Sequence, residues 1–188
     1  MAHLPGKLEG VFERVHLLRS VAVACAALIL LLALAAVAAG PVRASQRTDN
    51  EAVMLRLINE ARAQRGLALV RVHPALSRAA LAHSRDMMRH HYFSHESAGG
   101  ASCGTRARRA GYTMRGCRSW AVSEVIGWGM SFAGTPQAMF SAWMGSSYHR
   151  AAILGRRWRD VGIGCFSGTF KGVSGSWMYT VDVGRRSK

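Results

Sequence analysis

The sequence predicts an α+β fold in which an antiparallel sheet packs between helices. Two observations lead there. Apolar stripes at helical spacing open the folded part, and strand-like runs interleave with helices after them. The last two such runs are separated only by a Gly- and Ser-rich stretch, Gly168 to Gly175, which suits a hairpin rather than a crossover.

Each element has a local reason. Thr48-Asp49-Asn50-Glu51 has the form of a capping box, and the helix it opens carries Met54, Leu57, Ile58 and Ala61 inward until Gly66 ends it. His73-Pro74 starts a second helix with proline at the first helical position and a stripe of Leu76, Ala79, Ala80, His83 and Met87. A polar loop from Ser94 to Gly100 precedes a short basic helix from Gly104 to Ala110. Trp120 to Trp128 reads as a strand. Thr135-Pro136 opens a helix with Ala138, Met139, Ala142 and Trp143 inward, and Tyr148 to Leu154 reads as a further helical turn or two. Asp160 to Phe166 and Ser176 to Val183 read as the final strands.

The first 44 residues read differently. Val21 to Ala39 is an unbroken apolar run behind Lys7, Arg14 and Arg19. A soluble core helix would show a polar face, and this one shows none. Gly40-Pro41 breaks it, and Val42-Arg43-Ala44 has the small residues a signal peptidase needs, with Ala36-Val37-Ala38 as a second candidate. The run approaches the length that spans a bilayer. Residues 1–44 are therefore expected to be a signal peptide or an N-terminal membrane anchor, and 45–188 one folded domain that is secreted or held on the outer face of the membrane. Cys25 sits inside the run, which disfavours a lipoprotein.

The chain carries 25 Lys and Arg against 10 Asp and Glu, a net +15. Without residues 1–44 the balance is 21 against 8, or +13, so the basicity belongs to the folded part. Such a field favours polyanions. Export makes membrane lipid or an anionic envelope polymer the expected partner and argues against nucleic acid. Arg106, Arg108, Arg109, Arg115 and Arg118 cluster, as a solvated helix face or as a phosphate contact surface. Export also implies oxidised cysteines. Cys103–Cys117 is the expected disulfide, closing a short loop across the basic helix at about 3 kcal/mol of loop entropy. Cys117–Cys165 is the rival.

Catalytic orders fail. Gly129-Met130-Ser131-Phe132-Ala133 is a near miss to a nucleophile elbow, but no acid lies between Ser131 and His149 and no histidine follows. Cys117, His149 and Asp160 formally permit a thiol-protease order, which an oxidising compartment disfavours. His83 is expected to face the core, and His90 and His91 to close their helix, where imidazolium suits the negative dipole end. Trp128, Trp143, Trp158 and Trp177 are expected to be core packing.

Five segments in order resemble the bacterial branch of the CAP superfamily, also called SCP domains. They are Tyr92-Phe93-Ser94-His95, Ser123 to Gly129, Ala142 to Arg150, Val161-Gly162-Ile163-Gly164 and Tyr179 to Gly184. The resemblance covers about Thr48 to Gly184. It implies an α-β-α sandwich with a three-stranded antiparallel sheet, here preceded by the apolar N-terminal helix. It also implies a cleft lined by two histidines and two acids. Three of the four carry over as His95, Glu124 and His149. The fourth is Ser146 here, and the usual Gly-Glu-Asn reads Ser-Glu-Val. Two imidazoles and a carboxylate are a candidate Zn²⁺ site, with His95 and His149 as the ligands. Glu124 has a competing structural reading, as a strand residue accepting hydrogen bonds or pairing with a histidine. The resemblance leaves two functions: a binding module at the cell envelope for lipid or an anionic ligand, or a metal-assisted hydrolase.

Overall fold

The computed structural model describes residues 48–187. The expected leader and its apolar run lie outside them. Among the described residues no helix is long and apolar enough to cross a membrane. Gln46–Lys188 makes a compact unit of its own.

Helix α1 covers residues 48–63. Gly66, at φ +62, ends that segment as expected. Strand β1, Arg71–Val72, leads into α2, Pro74–His90. The His73 side chain caps α2 by accepting from Ala75 N, and His91 closes it in the left-handed region. Helix α3, Cys103–Arg109, is capped by Ser102, whose hydroxyl accepts from Thr105 N. Strand β2, Ser119–Gly129, passes through a 3₁₀ turn, Ser131–Gly134, into α4, Pro136–Gly145, and α5, Ser147–Ile153. Strands β3, Asp160–Phe170, and β4, Val173–Ser187, close the domain.

The sheet is mixed and four-stranded, in the order β1-β3-β4-β2. This corrects the expected three-stranded antiparallel sheet. The three long strands are antiparallel, and β1 adds a short parallel pairing to β3. Asn59 directs that addition, its side chain bonding both Val70 N and Val70 O. The Gly168–Gly175 stretch is mostly strand, and the turn shrinks to Lys171 and Gly172, both at positive φ, as a two-residue hairpin requires. Helix α2 lies directly on Gly162 and Gly164 of β3, and the β3–β4 register shifts only further on, between Gly168 and Phe170. A Cβ on Gly164 would stand 2.1 Å from Leu81 N, and one on Gly162 2.1 Å from Leu76 C.

Helices cover both faces. Met54, Ile58, Met139, Trp143 and Ile153 pack with Val161, Ile163, Tyr179, Val181 and Val183 on one side. Met87 and Met88 of α2 meet Ile126, Phe170 and Met178 on the other, with Leu76, Ala107 and Tyr112 alongside. Alternation along β4 sets this division: 179, 181 and 183 face α1 and α4, while Met178, Thr180 and Asp182 belong to the α2 face, where Ser84 donates to Thr180 Oγ1. One buried cation crosses the first layer. The Arg62 guanidinium donates to the carbonyls of Ala68, Ile153, Gly155 and Trp158, tying α1 to the segment after α5.

The expected Cys103–Cys117 disulfide is absent, as is the Cys117–Cys165 rival: Cys103 and Cys117 are free thiols. Cys103 opens α3 in a half-buried position facing Glu124 and Asp182. Burial first, then the Glu124 charge, pushes its thiol up to about 11. Cys117 instead lies in the turn before β2, its sulfur donating to Met114 O at 3.2 Å. The two sulfurs occupy different surroundings, and the loop between them is closed by backbone bonds such as Tyr112 N to Ala107 O.

Candidate functional site

The site is built at β2, an edge strand of the sheet. Successive β2 side chains alternate faces, so Glu124, Ile126 and Trp128 fall on the α2 side. Glu124 stands opposite Asp182 of β4 in the antiparallel register, placing two carboxyl groups side by side in the interior.

Three groups resolve that conflict. The Arg106 guanidinium, itself buried, pairs with Glu124 Oε2. His95 Nδ1 lies 2.8 Å from Glu124 Oε1, to which it donates. Asp182 shifts the other way: burial first, then the Glu124 charge, raises its pKa far above the carboxylate range and favours the neutral acid. One negative charge therefore stays on Glu124, compensated by Arg106. His83 Nε2, 4.0 Å from Glu124 Oε1, donates to Ser94 O at 3.0 Å. Burial, and secondarily Arg106, lowers its pKa against the opposing pull of Glu124, so the imidazole is held neutral.

Arg106 does more than neutralise Glu124. Its other donors reach His95 O at 2.9 Å, Ala101 O at 2.6 Å and Ser97 Oγ at 3.3 Å. One guanidinium thus fixes the 94–101 loop that carries His95. This revises the reading of the arginine run as a solvated face or contact surface: Arg108, Arg109, Arg115 and Arg118 are exposed, whereas Arg106 is interior.

An open cleft of about 470 Å³ lies alongside. Its walls are Phe93, Ile126, Trp128, Met139, Ala142 and Trp143, and its polar lining comes from Ser94, His95, Ser146 and His149. Trp143 is anchored by its indole N–H, which donates to Ile126 O at 3.1 Å. His149 sits near the start of α5, where burial and then the facing His95 lower its pKa. The exposed Tyr148 ring meets the His149 ring edge-on at 5.9 Å.

The structure therefore brings His95, Ser146 and His149 to one cleft and leaves Glu124 behind it, bonded to His95. The expected metal role fits this arrangement poorly. Glu124 Oε1 takes His95 and Oε2 takes Arg106, and among the described residues no three His, Cys, Asp or Glu side chains are grouped to hold a metal ion. A guanidinium on a prospective ligand also repels a cation. Of the two readings of Glu124, the pairing with a histidine is the one observed. Sequence reasoning missed Arg106 and Asp182. Asp182 left one signal, a lone acid inside the apolar run Tyr179 to Val183. Arg106 left none.

A helix-covered sheet with a histidine-lined cleft at its outer strand defines the class of domain. The chain belongs to the CAP family, the cysteine-rich secretory protein family, whose profile matches residues 55–182. It is 30% identical over 114 residues to YkwD of Bacillus subtilis, a match covering 61% of this chain and 41% of that protein. The chain thus spans well under half the length of that relative. Two solved structures share the fold. One is an extracellular SCP-domain protein from Bacillus anthracis, with TM-score 0.61 and 24% identity over 74% of this chain and 41% of the other. The other is an outer surface protein from Borrelia burgdorferi, with TM-score 0.59 and 16% identity over 74% of this chain and 94% of the other.

Proposed function

We propose that this chain is an exported CAP domain that acts at the cell envelope as a binding module, its cleft taking an amphiphilic ligand such as an anionic lipid. The carrying observation is the state of Glu124. With both oxygens engaged, it offers neither a metal ligand nor a free general base, while the cleft beside it keeps a preformed, largely apolar wall and two imidazoles. Such a surface suits an acyl or isoprenoid body with a hydrogen-bonding head.

The surroundings support a lipid source. Phe93 lines the cleft and is 43% exposed; Met130 and Phe132, at 44% and 80%, follow directly on from Trp128; Tyr148, at 70%, borders His149. Aromatic and thioether side chains left in water next to a basic protein surface match a membrane interface. The extracellular and outer-surface neighbours in fold agree with secretion, as does the apolar run ahead of the domain. The metal-assisted hydrolase gains no observation in its favour.

Co-sedimentation of the Gln46–Lys188 fragment with vesicles tests this reading. Binding to phosphatidylglycerol vesicles that weakens with added salt and with Phe132→Ser is expected. Binding indifferent to both salt and anionic lipid, or no binding, overturns it.

A further inference from the structure

The end of the sheet that carries the β3–β4 hairpin tip is built unlike the rest of the surface. Strand β2 reaches it at Gly129, paired with Trp177, and the 3₁₀ turn Ser131–Gly134 follows at once. Phe132 in that turn is 80% exposed, more than any other large apolar side chain of the described residues, and Met130 just before it is 44% exposed. A lone exposed apolar residue would need no explanation. The backbone beneath this one does.

The turn is strained and braced. Ser131 holds φ +48, a left-handed conformation that disfavours a residue with a Cβ. A Cβ on Gly129 or on Gly134 would run into the backbone across the turn, so its two stems press together. Gly134 N donates to Met130 O at 3.1 Å, and Thr135 donates to Phe132 O through its N–H, at 3.0 Å, and its hydroxyl, at 2.8 Å. From beneath, Tyr179 Oη donates to Gly134 O at 2.7 Å and accepts from Asn50 Nδ2 at 3.3 Å. A rigid scaffold therefore holds the Phe132 ring out in water.

The hairpin tip adds a charge at the same end. Lys171, exposed and at φ +49, sets its ammonium 6.0 Å from the centroid of the Trp128 ring and 5.6 Å from that of Phe170. Those two rings meet edge-on at 4.9 Å. An ammonium lying on aromatic rings beside exposed apolar side chains is the composition of a membrane–water boundary, where rings sit at headgroup depth and lysine reaches for phosphate. No Asp or Glu occurs from Val125 to Arg159 or from Val161 to Val181, the stretches that form the turn, α4, α5 and the hairpin. These elements therefore offer an anionic surface attraction and no carboxylate to repel it.

We propose that this end of the domain docks on an anionic lipid bilayer, with Phe132 and Met130 entering the boundary between headgroups and acyl chains and Lys171 pairing with lipid phosphate. Trp128 also lines the histidine cleft, so docking brings the cleft mouth to the lipid. The inference rests on the proposed function for its membrane partner and not for what occupies the cleft.

The test uses the full chain reconstituted in vesicles of phosphatidylglycerol and phosphatidylcholine whose acyl chains carry bromine near the headgroup. The reporter is Phe132→Trp. The control is Leu69→Trp, at a position 54% exposed that precedes β1 and so lies at the other end of β3 from the hairpin. The signal of the parent's five tryptophans is subtracted from each. The reporter is expected to emit at shorter wavelength and to be quenched at least about threefold more than the control. Lys171→Glu in the reporter chain should remove about half of that quenching, and so should vesicles of phosphatidylcholine alone. Ala142→Phe, which fills the cleft from an exposed wall position, should leave it unchanged. A cleft that takes no lipid and a turn that enters no bilayer thus read out separately. Equal quenching of reporter and control overturns the proposal, as does quenching abolished by Ala142→Phe. A reporter shifted in wavelength but not quenched is covered by protein, a second copy included, and overturns lipid as the partner. Quenching indifferent both to Lys171→Glu and to phosphatidylglycerol overturns the anionic assignment.

Discussion

Replacing Arg106 by methionine should be among the most damaging changes in the domain, although the residue sits in a run of arginines that otherwise face water. Methionine keeps much of the buried stem and removes the charge. Glu124 then remains interior beside Asp182 with only His95 for a partner, and the bonds to His95 O, Ala101 O and Ser97 Oγ are lost. Removing one member of a buried pair costs about 3–5 kcal/mol, a large share of the roughly 5–15 kcal/mol that holds a domain folded. With a urea slope of about 2 kcal/mol per molar, the midpoint of the Gln46–Lys188 fragment should fall by about 2 M. Arg109→Met, three residues on and exposed, should stay within about 0.5 kcal/mol of the parent. Adding Glu124→Gln to Arg106→Met should restore part of the loss, because the stranded charge is gone. Equal midpoints for the Arg106 and Arg109 variants would refute the pairing, and so would a double variant less stable than Arg106→Met.

Four further expectations follow from single features. Gly164→Ala should cost about 3 kcal/mol or prevent folding, since its Cβ would meet the α2 backbone. Gly145→Ala, with open space around it near the end of α4, should be neutral or slightly stabilising in the same denaturation assay. The pH profile of stability should carry a histidine signature. His83 is held neutral in the fold by burial, so its contribution is complete above the unfolded value of about 6.5 and is lost as pH falls below it. His83→Gln should therefore flatten the decline in melting temperature below pH 6.5, leaving the part due to His73 and His149, whose pKa values are also lowered. An unchanged slope would remove His83 as a source. Iodoacetamide at pH 8 should label Cys117 well before Cys103, whose thiol titrates near 11. Peptide mass spectrometry reads the order, and equal labelling, or a mass showing the two cysteines joined, would contradict the assignment.

What the sequence made legible was local. Pro74 and Thr135-Pro136 fix helix starts through φ and capping, and Gly66 fixes an end, so these boundaries needed no tertiary knowledge. His83 could be placed inward from its spacing on α2. The long-range features could not be read this way. Glu124 faces Asp182 only because β2 and β4 pair in one register, and nothing near either residue encodes it. Arg106 is chemically identical to its exposed neighbours, and only the turn of α3 onto β2 selects it. Strand β1 is two residues long and exists because Asn59 holds Val70. Gly168 reads as loop because its purpose, close approach of Met88 on α2, lies in a different element. The cysteine expectation failed for a related reason, since closeness along the chain does not bring the Cys103 and Cys117 sulfurs together.

The most direct measurement follows the ring signals of His95 and His149 in the Gln46–Lys188 fragment during two titrations, one with short-chain phosphatidylglycerol below its micelle concentration and one with zinc. Both imidazoles line the cleft, and His95 reports on Glu124 through its Nδ1 bond. The lipid is expected to shift both rings together and saturably while zinc leaves the His95–Glu124 contact intact. Rings unmoved by lipid, with zinc binding at one equivalent and displacing Glu124 from His95, would contradict the binding-module reading and restore the metal site.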